Sequence, residues 1–171
     1  MSVRDTIEQA TKSVIGALTP GTGEPDIMDT LEAEHDEVQE LLGKLVESEE
    51  ARQQVSLVAQ IRKALIPHAK AEEKVVYDPI LALSDKEAKI EGSEGYMEHS
   101  LAEATLQQLE RLTANTPEFK AAAKVLKELI DHHVKEEEDE IWSQLKDNFS
   151  SEQRQQMHRD FLAAKKQVLA A

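Results

Sequence analysis

Apolar positions recur at alternating steps of three and four over most of this chain, the spacing of helices that each bury one stripe. From about Ser2 to Leu18 the stripe is Val3, Ile7, Ala10, Val14 and Leu18, and Pro20, Gly21, Gly23 and Pro25 then break it. This predicts a short amphipathic helix covering one flank of a core, then a linker. A longer helix follows from about Asp26 to Glu47, with Ile27, Leu31, His35, Val38, Leu42 and Leu45 inward. A second runs from about Glu49 to Leu83 on Val58, Ile61, Leu65, His68, Glu72, Val75 and Pro79. Pro67 lies inside it and predicts a kink or break just before His68.

Ser84 to Glu87 resembles a capping box, and the Gly92 to Gly95 stretch marks the connection to a third helix, about Glu94 to Thr113, with His99, Ala102, Leu106 and Leu109 inward. Thr116 as N-cap with Pro117 at the first helical position opens a fourth helix, which runs to about Asn148 on Leu126, Ile130, His133, Glu137, Ile141 and Leu145. Ser150 or Ser151 starts a final packing helix with Phe161, Leu162, Val168 and Leu169 as its apolar residues. The expected organisation is an all-α, up-down-up-down four-helix bundle over residues 26–148, preceded by a helix and linker over 1–25 and followed by a packed helix over 149–171.

Composition supports helix: Ala, Leu, Glu, Lys and Gln dominate, and aromatic residues make up only 4%. The net charge of −14, with no basic stripe, argues against nucleic acid as a partner. No run of about 18 apolar residues offers a membrane span, and no signal-type apolar core begins the chain, so a cytoplasmic protein is expected. The absence of cysteine confines any metal to His nitrogen and carboxylate oxygen.

The second pair of long helices repeats the first at an interval of about 64 residues. EHDEVQELLGKL from Glu34 aligns with EHSLAEATLQQL from Glu98, and HAKAEEKVVY from His68 aligns with HVKEEEDEIW from His133. His35 thus pairs with His99, Glu72 with Glu137, Glu73 with Glu138, and Tyr77 with Trp142. Two hairpins related in this way bring four inward histidines to one level of a bundle, with Glu72 and Glu137 one turn beyond His68 and His133. Inward carboxylates are costly unless paired or metal-bound, so a dinuclear metal site is favoured over a buried salt-bridged network.

Glu103, four residues after His99, is a further candidate ligand, although its repeat partner is the neutral Gln39. His132 aligns with Pro67 and is placed outside the ligand set, and His158 on the trailing helix is expected at the surface. Glu73, Glu136, Glu138, Asp139 and Glu140 read as a solvated acidic face, Glu34 and Glu98 as outer partners of the histidines or exposed residues, and Tyr77 and Trp142 as a lid of the core beyond the site.

At these residues the sequence resembles the hemerythrin-like family of HHE cation-binding domains over about Asp26 to Asn148. The resemblance implies a non-haem di-iron centre with an oxo or hydroxo bridge. Glu72 and Glu137 would bridge it, His35 and His68 would serve one iron, and His99 and His133 the other. Manganese or zinc also suits such donors. Oxygen-carrying members place a second His where Glu103 stands and set the fourth-helix carboxylate five residues after its His, whereas Glu137 follows after four. The doubled HxxxE form looks more like bacterial relatives linked to O2, peroxide or NO responses and to iron handling.

The expected function is binding or sensing of a small diatomic or peroxide ligand at the carboxylate-bridged site. The alternative is a redox enzyme of the same site, through peroxide decomposition, ferroxidase action or iron-centre repair. A ferritin-like di-iron arrangement would want ExxH on two helices; Glu32 with His35 supplies one, but none of His68, His99 and His133 has a Glu three residues before it, which counts against that reading. A metal-free helical interaction module is the remaining reading.

Overall fold

A computed structural model describes residues 23–170, and the expected N-terminal helix lies outside the described residues. Five rods follow one another, and no strand occurs among the described residues. α1 is Ile27–Glu47. α2 joins an α-helix, Ala51–Glu72, to a π-turn, Glu73–Tyr77, and one further α-turn, Asp78–Leu81. α3 is Lys86–Arg111. α4 joins Pro117–Glu136 to a second π-turn, Glu137–Ile141, and then to Trp142–Asn148. α5 is Ser151–Ala170.

The helix starts are set by local chemistry. Asp26 caps α1 in a reciprocal capping box with Asp29. Thr116 Oγ1 accepts from the Phe119 N–H at 3.2 Å, with Pro117 at the first helical position as expected. α3 begins eight residues before the expected Glu94, because Asp85 is its N-cap and accepts from the Ala88 N–H at 2.9 Å.

The Gly92 to Gly95 stretch is therefore helix, and its glycines serve packing. A Cβ on Gly95 would lie 2.5 Å from Tyr77 Cζ, and one on Gly92 would lie 3.3 Å from Ile80. Pro67 does not break α2, which runs on to Glu72. The carbonyl it leaves without a helical donor belongs to Lys63, an exposed residue that water can reach.

The irregularity comes later, at the π-turn, where the Asp78 N–H reaches back five residues to the Glu73 carbonyl. That extra residue shifts the seam by one position. Ile80 is buried in place of the expected Pro79, and Tyr77 turns inward.

α1, α2, α3 and α4 form a closed ring of neighbours, and α5 lies against α1 and α2. Short connections between consecutive rods make them antiparallel. The core is two apolar blocks. One holds Leu42, Leu45, Ile61, Leu106, Leu109 and Leu126, and the other Ile27, Leu31, Tyr77, Ile80, Leu145 and Phe161. Between them lies a layer of buried polar side chains. α5 seats Met157, Phe161 and Ala164, whereas the expected Leu162 and Leu169 are exposed because they face away from α1 and α2.

Candidate metal centre

The inward stripe of each rod passes through this polar layer, which is why His35, His68, Glu72, His99, His133 and Glu137 meet there, each no more than 5% exposed. Each of the two carboxylates faces one histidine from each half of the repeat. Glu72 Oε2 stands 3.4 Å from His68 Nε2 and 3.3 Å from His99 Nε2. Glu137 Oε2 stands 3.3 Å from His133 Nε2 and 3.3 Å from His35 Nε2.

The outward nitrogens are all taken by a second ring of carboxylates. His35 Nδ1 meets Glu138 at 3.1 Å, His68 Nδ1 meets Glu34 at 3.0 Å, His99 Nδ1 meets Glu73 at 3.3 Å and His133 Nδ1 meets Glu98 at 2.7 Å. These contacts obey the internal repeat, since Glu34 matches Glu98 and Glu73 matches Glu138. They make Nδ1 the protonated nitrogen in each ring and turn every Nε2 toward the interior, the arrangement that orients imidazoles on a metal.

Glu73 and Glu138 are thus correctly aligned in the sequence, but they are half-buried and bound to histidines, where their run of acidic neighbours had suggested a solvated face. The signal available was their equivalence in the repeat, directly after Glu72 and Glu137.

Glu72 Oε1 has no partner at all, and His35 Nε2, Glu72 Oε2 and Glu137 Oε2 face their neighbours at 3.3–3.4 Å without the alignment of a hydrogen bond. His99 Nε2 and His133 Nε2 face each other at 3.2 Å. Orphaned polar atoms at this depth are expensive, about 1–3 kcal/mol each. Two sets of ligand atoms, on His35, His68 and Glu72 and on Glu72, His99 and His133, lie within 4.8 Å of one another. Donors sharing one ion stand about 3–4 Å apart, so small side-chain adjustments close either set on a cation. The donor set fits a metal.

Electrostatics bear the same stamp. Burial works against charge on His68, but Glu72 and Glu34 outweigh it and lift the imidazole from 6.5 to about 9. Burial likewise opposes charge on His133, and Glu137 and Glu98 carry it up to about 10. Burial would raise the Glu137 carboxyl, yet His133 and His35 hold it well below the usual carboxylate range. The buried carboxylates therefore favour positive charge at His68 and His133.

Glu103 does not join the cluster. It pairs with Lys70 at 3.3 Å, and Lys70 in turn holds Glu73 at 3.1 Å, so Glu103 reaches His99 only through two intermediates. Tyr77 lies closer to the site than a lid would, because its O–H donates to Glu137 Oε1 at 3.2 Å. Its repeat partner Trp142 is only half-buried. His158 is not a surface residue but half-buried, with Nδ1 2.7 Å from Thr30 Oγ1. His132 stands outside the cluster, 59% exposed.

Fold and site together define a four-helix bundle with a histidine–carboxylate site for metal cations between its helices. The hemerythrin HHE cation binding domain model matches residues 26–145, and the chain belongs to that family. The chain is also 30% identical over 168 residues to a Nostoc sp. (strain PCC 7120) protein named DNA nickase, an alignment covering 97% of this chain and 47% of that relative. It therefore spans about half the relative's length. No solved structure matches the chain. Among the described residues no helix is long and apolar enough to cross a membrane.

Proposed function

We propose that the chain holds two iron ions and binds or senses O2, NO or peroxide there. His35 and His68 serve one ion, His99 and His133 the other, and Glu72 and Glu137 lie between them. The observation that carries this reading is the facing of each buried carboxylate toward one histidine from either half of the repeat. When bound, the ions supply redox change and open coordination positions for small ligands.

The protein's own contributions follow from the contacts above. Outer carboxylates fix each ring. Two apolar blocks keep water from both sides of the polar layer. Burial, with Glu137 and Glu72 nearby, drives the Tyr77 pKa well above its usual value, so the phenol stays protonated and able to donate to Glu137.

Anaerobic Fe(II) loading with metal counting, followed by optical spectra on adding O2, peroxide or NO, tests the proposal. Two ions per chain and a reversible, stoichiometric adduct are expected, and turnover beyond one equivalent selects the redox enzyme instead. His68→Ala together with His133→Ala abolishes loading. Unchanged metal content in that variant defeats the ligand assignment.

A second reading rests on the Nostoc relative, whose aligned part covers nearly all of this chain. It is metal-dependent cleavage of a DNA strand. The net charge of −14 opposes it, since binding a polyanion calls for clustered Lys and Arg. Relaxation of supercoiled plasmid by the metal-loaded chain, lost in the same double variant, would favour this reading.

A further inference from the structure

The polar layer lies between two apolar blocks, so electrons must reach it through protein. The chain has two tyrosines, and both stand on one path from the cluster to the surface. The Tyr77 ring lies 5.3 Å from the His99 ring and 5.7 Å from the Tyr96 ring, the spacing of directly packed aromatics. Tyr77 is wholly buried, whereas Tyr96 on α3 is half-buried. The backbone is shaped for this contact. Gly95 lets α3 approach, since a Cβ there would lie 2.5 Å from Tyr77 Cζ, and the π-turn of α2 is what turns Tyr77 inward.

Each phenol also has a carboxylate at its hydroxyl. Tyr77 donates to Glu137 Oε1 at 3.2 Å, and Tyr96 donates to Asp78 Oδ1 at 2.7 Å, with the Glu73 carbonyl 3.2 Å away. Asp78 is exposed. A phenol gives up an electron readily only when its proton has an acceptor, and Asp78 is one that opens to water. Other rings beside the cluster lack one part or the other. Phe161 meets His68 at 5.7 Å but is wholly buried and carries no hydroxyl. Trp142 takes the place of Tyr77 in the second half of the repeat, and Glu32 stands at the position equivalent to Tyr96 in the first, so the pair occurs once.

We propose that Tyr77 and Tyr96 carry single electrons between the buried centre and a small-molecule reductant at the surface. The inference rests on the iron reading of the inner cluster, with peroxide as the oxidant. One electron leaves Tyr96 through Tyr77 for the oxidised centre while the Tyr96 hydroxyl proton moves to Asp78, which leaves a neutral phenoxyl radical. An enediol reductant such as ascorbate then gives an electron to the phenoxyl, Asp78 returns the proton, and the proton lost by ascorbate enters solvent. Two such passages bring two electrons inward and, with two protons from solvent, reduce one peroxide to two waters. Tyr77 is the bridge and Tyr96 the surface terminal.

Freeze-quench EPR tests the relay on Fe(II)-loaded protein whose iron has been counted, mixed with excess peroxide and then with ascorbate. A tyrosyl radical is expected in the unaltered protein, with a hyperfine pattern that collapses when the chain carries ring-deuterated tyrosine, and ascorbate should discharge it. In Tyr96→Phe the radical should stop on Tyr77 and survive ascorbate. In Tyr77→Phe no tyrosyl signal should form. Tyr96 hydrogen-bonds to none of the six ligand candidates, so Tyr96→Phe decides the matter if Tyr77→Phe loses iron. Two irons per chain without a tyrosyl signal overturn the relay and leave the iron reading standing. So does discharge in Tyr96→Phe as fast as in the unaltered protein, or an undiminished signal in a Tyr77→Phe chain that keeps its iron. No bound iron in the unaltered protein overturns both.

Discussion

At the scale of single residues, the site is a set of atoms held in wait. Each imidazole is clamped by a carboxylate on its outward nitrogen, so Glu34→Gln or Glu98→Gln should weaken metal binding by about 10- to 100-fold while leaving the fold intact, measured by competition with a chelator.

Proton linkage gives a second expectation. His68 and His133 carry folded-state values of about 9 and about 10, above the 6.5 of a free imidazole. Their contribution to metal-free stability is therefore complete below pH 6.5 and is lost as pH rises through 9 and 10. The depressed Glu137 acts at the other end: its contribution is present above 4.5 and fades as pH falls through its lower folded value. Metal must displace the imidazole protons, so loading near neutral pH releases protons and tightens as pH rises, by about tenfold per proton per unit. Calorimetry in buffers of different ionisation enthalpy measures that release. Loading at neutral pH without proton release would contradict the shifts.

At the scale of elements, the four seams were legible because buried positions at helical spacing leave a periodic trace, and the six inward ligand candidates interrupt it. What could not be read were features with no period. The π-turns insert one residue each, which moves Ile80 into the place expected for Pro79 and brings Tyr77 to the site. Gly92 and Gly95 carry the composition of a loop but act as flat surfaces against α2. The outer partners Glu73 and Glu138 lay hidden among exposed charges such as Lys74, Asp139 and Glu140, and their equivalence in the repeat, directly after Glu72 and Glu137, was the one trace they left. Glu103 shares the face of His99 by spacing, but Lys70 claims it.

Paired substitutions test the role of the glycines. Gly95→Ala should cost about 1–3 kcal/mol and displace Tyr77, since its Cβ would sit 2.5 Å from the ring. Gly43→Ala, inside α1 with nothing within 4 Å, should stabilise by up to about 1 kcal/mol. Denaturant midpoints for the two variants should shift in opposite directions.

At the scale of the whole molecule, α5 makes the bundle unequal. The match to the family ends at residue 145, and α5 comes after it, bringing Phe161 to 5.7 Å from the His68 ring and Lys165 to Glu34. Among the described residues, no helix covers the second half in this way. Lys165→Ala should therefore weaken the His68 metal position selectively, giving two separated steps in a metal titration; a uniform loss at both positions would deny α5 that role. The polar layer also has a mechanical meaning. The two apolar blocks share no buried residue among the described residues, so they communicate across the polar layer, through its histidines and carboxylates and the helical backbones that cross it. Ions drawn into the layer would rivet one block to the other. The calorimetric and van't Hoff enthalpies of unfolding should then diverge without metal and coincide with it, because only the loaded chain melts as one cooperative unit.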